Sequence, residues 1–162
     1  MSVFFYTQRD TLAPSKEVTS FVECADAGYP IMESYPRQCR DSKGNTFTED
    51  IGNILEKQDL IRVTNITPNQ KITSPVIITG EARGTWYFEA SFPAVLEDDN
   101  GVVLAQVPAQ AQGEWMTEEF VPFSVTLIFD SKGAKKGTLI LKKDNPSGLP
   151  EDDDVLSIPV QF

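Results

Sequence analysis

Histidine is absent from this 162-residue chain. That absence removes the commonest general base and the commonest metal ligand together. Cysteine is nearly absent as well: two residues cannot complete a structural zinc site when no histidine joins them. No apolar run approaches the roughly eighteen residues that a membrane-spanning helix needs. Residues 1–10 lack the charged start, long apolar stretch and small-residue cleavage site of a signal peptide. Basic charge is also scarce. The chain holds 14 Lys and Arg against 24 Asp and Glu, a net charge of −10. Both the first 59 residues and the remainder are acidic, so nucleic acid and anionic lipid surfaces are poor partners.

What is present is an apolar content of 40%, enough for a packed core and too much for general disorder. Residues 1–15 read as a disordered segment or linker, with Pro14 and Ser15 as its punctuation. Within it, Val3-Phe4-Phe5-Tyr6 reads either as the outer tip of a membrane anchor or as a disordered terminus with chance aromatics. Ser15 is placed to cap a short helix through Val18, Phe21, Val22 and Ala25, with Gly28 as its stop. Tyr29–Cys39 contains two prolines and cannot continue that helix. Asp41-Ser42-Lys43-Gly44 is a turn signal, and Thr46-Phe47-Thr48 suits a returning strand. Cys24 and Cys39 bracket this small segment. A bridge closing about fifteen residues is worth roughly 3 kcal/mol in the chain-entropy model. Residues 16–59 therefore read as a small disulfide-stapled element that points outside the cytoplasm, the alternative being two free thiols inside it. Residues 50–59 read as the junction.

From residue 60 to 162 the text alternates strand and turn. Expected strands run over Leu60–Thr67, Val76–Arg83, Gly84–Phe92, Val102–Pro108, Phe120–Asp130, Gly137–Asp144 and Val155–Phe162. In the third, Trp86, Phe88, Ala90 and Phe92 fall on one face and are expected in the core, with Tyr87, Glu89 and Ser91 outside. Asn100-Gly101 is a tight hairpin signal. Pro159 suggests an edge position for the last strand. Seven short strands without a convincing helix predict a mainly β chain, an antiparallel two-sheet Ig-like sandwich. Both cysteines lie outside it, so the antibody-type bridge is absent.

Several segments, Ser74–Ala82, Gly84–Ala90, Gly113-Glu114-Trp115-Met116-Thr117 and Phe120–Phe123, resemble in order and approximate spacing a bacterial Ig-like family. Gly137-Thr138-Leu139, Asp144–Gly148 and Ile158-Pro159-Val160 resemble it too. This is the Gmad type, named from germination and sporulation proteins, and the resemblance covers roughly residues 61–162. It implies a non-enzymatic module on the bacterial exterior, often joined to other envelope domains, and carries over no binding residue. Residues 24–49 more weakly resemble a small cysteine-bracketed envelope element.

Candidate sites follow from residue chemistry. Trp115 is either an exposed aromatic suited to stacking on a sugar or packing on a partner, or the closure of one end of the core. Tyr87 is the second aromatic candidate for glycan binding. The acidic clusters Glu97–Asn100 and Glu151–Asp154 are oxygen-rich enough for calcium, singly or together at one end, but lack EF-hand spacing and equally suit solvated turns. Asn65-Ile66-Thr67 fits a glycosylation sequon of little weight in a bacterium. Pairing Glu89 with Glu114 as catalytic carboxylates demands a cleft that so small a sandwich lacks. Tyr35–Phe47 superficially resembles part of a Kazal protease inhibitor with Arg37 near a cysteine, but with at most one of the three disulfides that brace such loops. The sequence thus predicts an extracytoplasmic, non-enzymatic binding or structural module without catalytic, metal or cofactor groups. Its expected partner is a cell-envelope protein or glycan, met through loops at one end or an open sheet edge.

Overall fold

A computed structural model describes residues 17–162. The expectations for residues 1–15, including the Ser15 cap and the Val3–Tyr6 anchor tip, lie outside the described residues. The chain divides into two compact units, Met1–Glu49 and Asp50–Phe162. Residues 50–59, expected as a junction, belong to the second.

In the first unit, helix α1 spans Phe21–Asp26. Its N-cap is Ser20, whose Oγ accepts from the Glu23 backbone N–H at 3.2 Å. Glu23 reaches back to accept from the Thr19 N–H at 2.9 Å, so two orphan donors at the helix start are satisfied. Gly28, at φ +81°, ends the helix in the left-handed conformation that a side chain would oppose. Three short antiparallel strands follow in spatial order, β1 (Ile31–Met32), β2 (Gln38–Arg40) and β3 (Thr46–Thr48). The Cys24–Cys39 disulfide joins α1 to β2, with both cysteines fully buried against Phe21. A core this small holds few large side chains, so the covalent link does much of the fixing.

The second unit begins with α2 (Ile54–Lys57), then β4 (Ile61–Val63), β5 (Val76–Arg83), β6 (Ser91–Asp98), β7 (Val103–Ala111), β8 (Phe120–Leu127), β9 (Lys136–Lys142) and β10 (Val155–Gln161). Among the described residues these seven strands pair antiparallel in the order β10-β9-β6-β7-β8-β5-β4. The β7–β8 joint is short, only Gln110↔Ser124 and Ala111↔Phe123. Beyond it the strands part, leaving a four-stranded layer β10-β9-β6-β7 and a three-stranded layer β8-β5-β4. Phe92 of β6 meets Phe123 of β8 edge-on at 5.0 Å between ring centroids, across the space between the layers. The result is the expected Ig-like sandwich.

Period-two alternation holds where it was read. Ile78, Gly80 and Ala82 of β5, Phe123, Val125 and Leu127 of β8, and Leu156, Ile158 and Val160 of β10 are buried, with more exposed residues between them. Pro159 sits on β10 at the end of the strand order, as an edge proline should. That edge is nevertheless covered. Asn53 bonds the main chain of Val155 and Ser157, and residues 69–72 bond Pro159 and Gln161. A row of unpaired strand groups is thereby satisfied within the chain, which removes it as a template for another strand.

The Gly84–Phe92 expectation needs correction. Gly84–Trp86 is a 3-10 turn, and β6 starts only at Ser91. The reversal between them is a two-residue turn in which Phe88 and Ser91 exchange backbone bonds. Its central residues Glu89 and Ala90 both have positive φ, +49° and +64°, as a primed hairpin turn requires. The 3-10 turn breaks the alternation before the reversal, so Trp86 and Tyr87 are buried in succession and the expected faces invert: Tyr87 is buried at 4% exposure, while Phe88 is 41% exposed.

Candidate functional site

The register places three connections of the sandwich at one end. The β5–β6 connection (84–90) leaves the end of β5, the β7–β8 connection (112–119) enters the start of β8, and the β9–β10 connection (143–154) joins the end of β9 to the start of β10. They are bonded to one another. The Gly84 N–H donates to the Glu119 carbonyl at 3.0 Å, the Ala111 N–H to Ala90 at 2.8 Å, and the Asp144 N–H to Trp86 at 3.0 Å. Glycine at 84 has a steric reason: an added Cβ would collide with the Trp115 and Thr117 carbonyl oxygens. This end is therefore a braced surface.

Tyr87 and Trp86 fix it from below. The Tyr87 hydroxyl donates to the Val121 carbonyl at 2.6 Å, and its ring lies 5.1 Å from that of Phe92. Burial pushes the Tyr87 phenol well above its ordinary pKa, with the Glu81 charge adding to the rise. As a buried side chain it offers no face for a sugar to stack on, so its candidacy as a glycan contact is withdrawn. Trp86 is buried, and its indole N–H finds no partner among the described residues.

Above this floor lies an apolar patch. Trp115 is half-buried, packs against the core and meets Phe88 edge-on at 6.4 Å. It both closes the end of the core and contributes to the surface. Phe88 stands exposed beside it, and Met116 is 73% exposed. Sequence reading singled out Trp115 but missed Phe88, which alternation had sent inward, and gave Met116 no role. The connections around the patch are acidic. Residues 84–90 and 112–119 carry Glu89, Glu114, Glu118 and Glu119 and no basic residue. Among the described residues none of these four enters a salt bridge. The Glu114 carboxylate accepts from the Met116 N–H at 3.2 Å, which holds one charge beside the patch. Two cations near the start of β8 are occupied: Arg62 and Arg83 lie 4.2 and 4.0 Å from the Phe120 ring centroid.

The two acidic clusters lie at opposite ends of β9, so they do not combine as one site. Asp98 pairs with Gly137 at the start of that strand, and Val155, next to Asp154, pairs with Lys142 at its end. Asp98 Oδ1 accepts from the Asn100 and Val102 N–H groups, a turn-forming role. Asp152 and Asp153 accept from Ser147 and Asn145, and Asp154 pairs with Lys57 at 2.7 Å. Among the described residues no group of three or more metal-ligating side chains gathers. The carboxylates of Glu89 and Glu114 flank the exposed patch on separate connections, with no cleft between them among the described cavities.

In the first unit Arg37 is held rather than presented. Its guanidinium donates bidentately to Glu49, both bonds 2.8 Å, and lies 5.4 Å over the Phe21 ring. The hydrogen bond to Glu49 raises the Arg37 pKa further, so the guanidinium stays charged. An inhibitory arginine must be free to enter a protease, and this one, though half exposed, has its guanidinium tied to Glu49 and laid over Phe21, which weighs against the protease-inhibitor reading.

Comparison with protein families matches residues 60–148 to Gmad2, the immunoglobulin-like domain of bacterial spore germination. No curated protein and no solved structure matches the chain. The matched residues run from the approach to β4 to the β9–β10 connection and make up more than half of the chain. The chain belongs to the family of immunoglobulin-like domains of bacterial spore germination.

Proposed function

We propose that this chain is an extracytoplasmic recognition module of the bacterial cell envelope, which binds another envelope component through the Phe88–Trp115–Met116 end of its sandwich. The observation that carries the reading is an apolar patch exposed on a braced set of connections. Single exposed apolar residues are ordinary, but exposed apolar side chains grouped together, as Phe88 is with Trp115, are the kind of surface that meets a partner. A location outside the cytoplasm is supported by the buried Cys24–Cys39 disulfide, since such bridges persist in oxidising compartments. It is supported too by a family associated with spore germination. Among the described residues no helix is long and apolar enough to cross a membrane. A purely binding role fits a family not known for catalysis.

Co-sedimentation of the purified chain with isolated bacterial envelopes tests this. Retention is expected for the wild type and for Ile128→Ser, which alters a residue 75% exposed just past the end of β8 opposite the patch. The Phe88→Ser/Met116→Ser variant is expected to stay in the supernatant. Equal retention of all three would overturn the reading.

A further inference from the structure

The proposed loop-end surface also carries a charge signature that specifies its partner. We infer that it docks a cationic segment of a partner protein, one with apolar side chains set among Lys or Arg, and this rests on the loop-end reading above. The patch supplies one half of the complement. Met116 and Phe88 are exposed, and Trp115 is half-buried between the core and solvent. Glu89, Glu114, Glu118 and Glu119 supply the other half, on the same two connections and free of salt bridges among the described residues. Four carboxylates on two neighbouring connections present a negative field to an incoming cation. The β9–β10 connection at the same end adds five acids, Asp144 and Glu151–Asp154, of which Asp154 is paired with Lys57, against the one base of its own, Lys143.

The opposite end of the sandwich is different in kind. There Asp98, Asp99 and Asn100 line a groove whose other wall carries Lys132, Lys135 and Lys136. Two acids there face three lysines, and no aromatic lines the groove. An acidic partner is repelled from the patch end, and a neutral glycan would leave the carboxylate rim without a role. A lysine- or arginine-bearing segment with apolar anchors uses both features at once. The long arms of such residues can cover apolar surface while their heads reach the carboxylates.

The test uses the whole chain and two short fluorescent peptides in anisotropy titrations. One alternates Lys with Leu and Phe, and the other replaces every Lys with Glu. The lysine peptide is expected to bind and the glutamate peptide to fail. Met116→Ser should weaken binding about tenfold, the scale of one lost apolar anchor. Glu114→Gln/Glu118→Gln/Glu119→Gln keeps side-chain shape and should weaken it about tenfold or more, mostly by slowing association. Raising salt should act in the same direction. Glu97→Gln/Asp98→Asn/Asp99→Asn removes the same three charges at the other end and should change affinity by less than about twofold, which separates local docking from attraction to net charge. Equal effects of charge removal at both ends, or equal binding of the two peptides, would overturn the inference. Absence of lysine-peptide binding would overturn it as well. If envelope retention still depends on Phe88 and Met116 in that case, the loop-end reading stands and the cationic partner alone falls.

Discussion

Replacing Gly84 by Ala probes the brace beneath the candidate surface. The new methyl would be directed at the Trp115 and Thr117 carbonyl oxygens and would lie 2.8 Å from the Thr117 carbonyl carbon. These are backbone atoms, so no side chain can swing away to relieve the contact. The β7–β8 connection must shift, and its bond from the Gly84 N–H to Glu119 lengthens or breaks. Overpacking of this kind costs about 1–3 kcal/mol. A lost hydrogen bond adds about 1 kcal/mol. The smaller backbone entropy of alanine in the unfolded chain returns about 0.5–1 kcal/mol. The net expectation is a loss of about 1–3.5 kcal/mol. For a unit of this size that lowers the melting temperature by roughly 5–15 °C. Calorimetry measures the stability, and near-ultraviolet circular dichroism reports on Trp115 and Phe88. A melting temperature and aromatic spectrum indistinguishable from wild type would refute the claim that close backbone approach at Gly84 holds this end together.

Other perturbations test other parts of the structure. Cys24→Ser/Cys39→Ser opens a cross-link with a sequence separation of 15 and should destabilise the first unit by about 3 kcal/mol, seen as faster amide exchange over α1 and β2. Unchanged protection there would contradict it. Ala90→Gly relieves a left-handed alanine at φ +64°, and the strain removed outweighs the added chain entropy, so urea melts should show a gain of about 0.5–1 kcal/mol. Tyr87→Phe loses the hydroxyl bond to Val121 and should cost about 1 kcal/mol at neutral pH. In the wild type the Tyr87 pKa is raised in the folded state. The unfolded chain therefore ionises first, and stability should fall as pH rises above about 10. The phenylalanine variant should show a shallower fall, and identical alkaline slopes would argue against the assignment.

The strands were legible because burial on one face leaves a period of two in the sequence, and this worked for β5, β8 and β10. It misled at Gly84–Phe92 for a definite reason. A 3-10 turn followed by a two-residue reversal kept Trp86 and Phe92 inside, so the ends of the pattern agreed while its middle inverted. Glu89-Ala90 carries none of the Asn, Asp or Gly that normally announces a primed turn, so no local signal could place it. The first expected strand was too long for a different reason. At Asn65 the side chain takes over the ladder, accepting from the Thr79 N–H and donating to the Ile77 carbonyl, so strand pairing ends while strand-like bonding continues. The covered β10 edge depends on Asn53, about a hundred residues away in sequence, and no local pattern contains such a contact. The candidate surface was half legible. Trp115 and the acidic runs were visible as residue types, but the exposure of Phe88 depends on the hidden turn.

The proposed contact with an envelope component runs through the Phe88–Trp115–Met116 end. Site-specific photo-crosslinking tests it most directly, with a photoreactive phenylalanine analogue placed at Met116 in one preparation and at Ile128 in another. Both positions are exposed, at 73% and 75%, so each probe reaches solvent equally. The account predicts a discrete crosslinked product with envelope fractions from position 116 and none from position 128. A product from position 128 with none from 116 would contradict it.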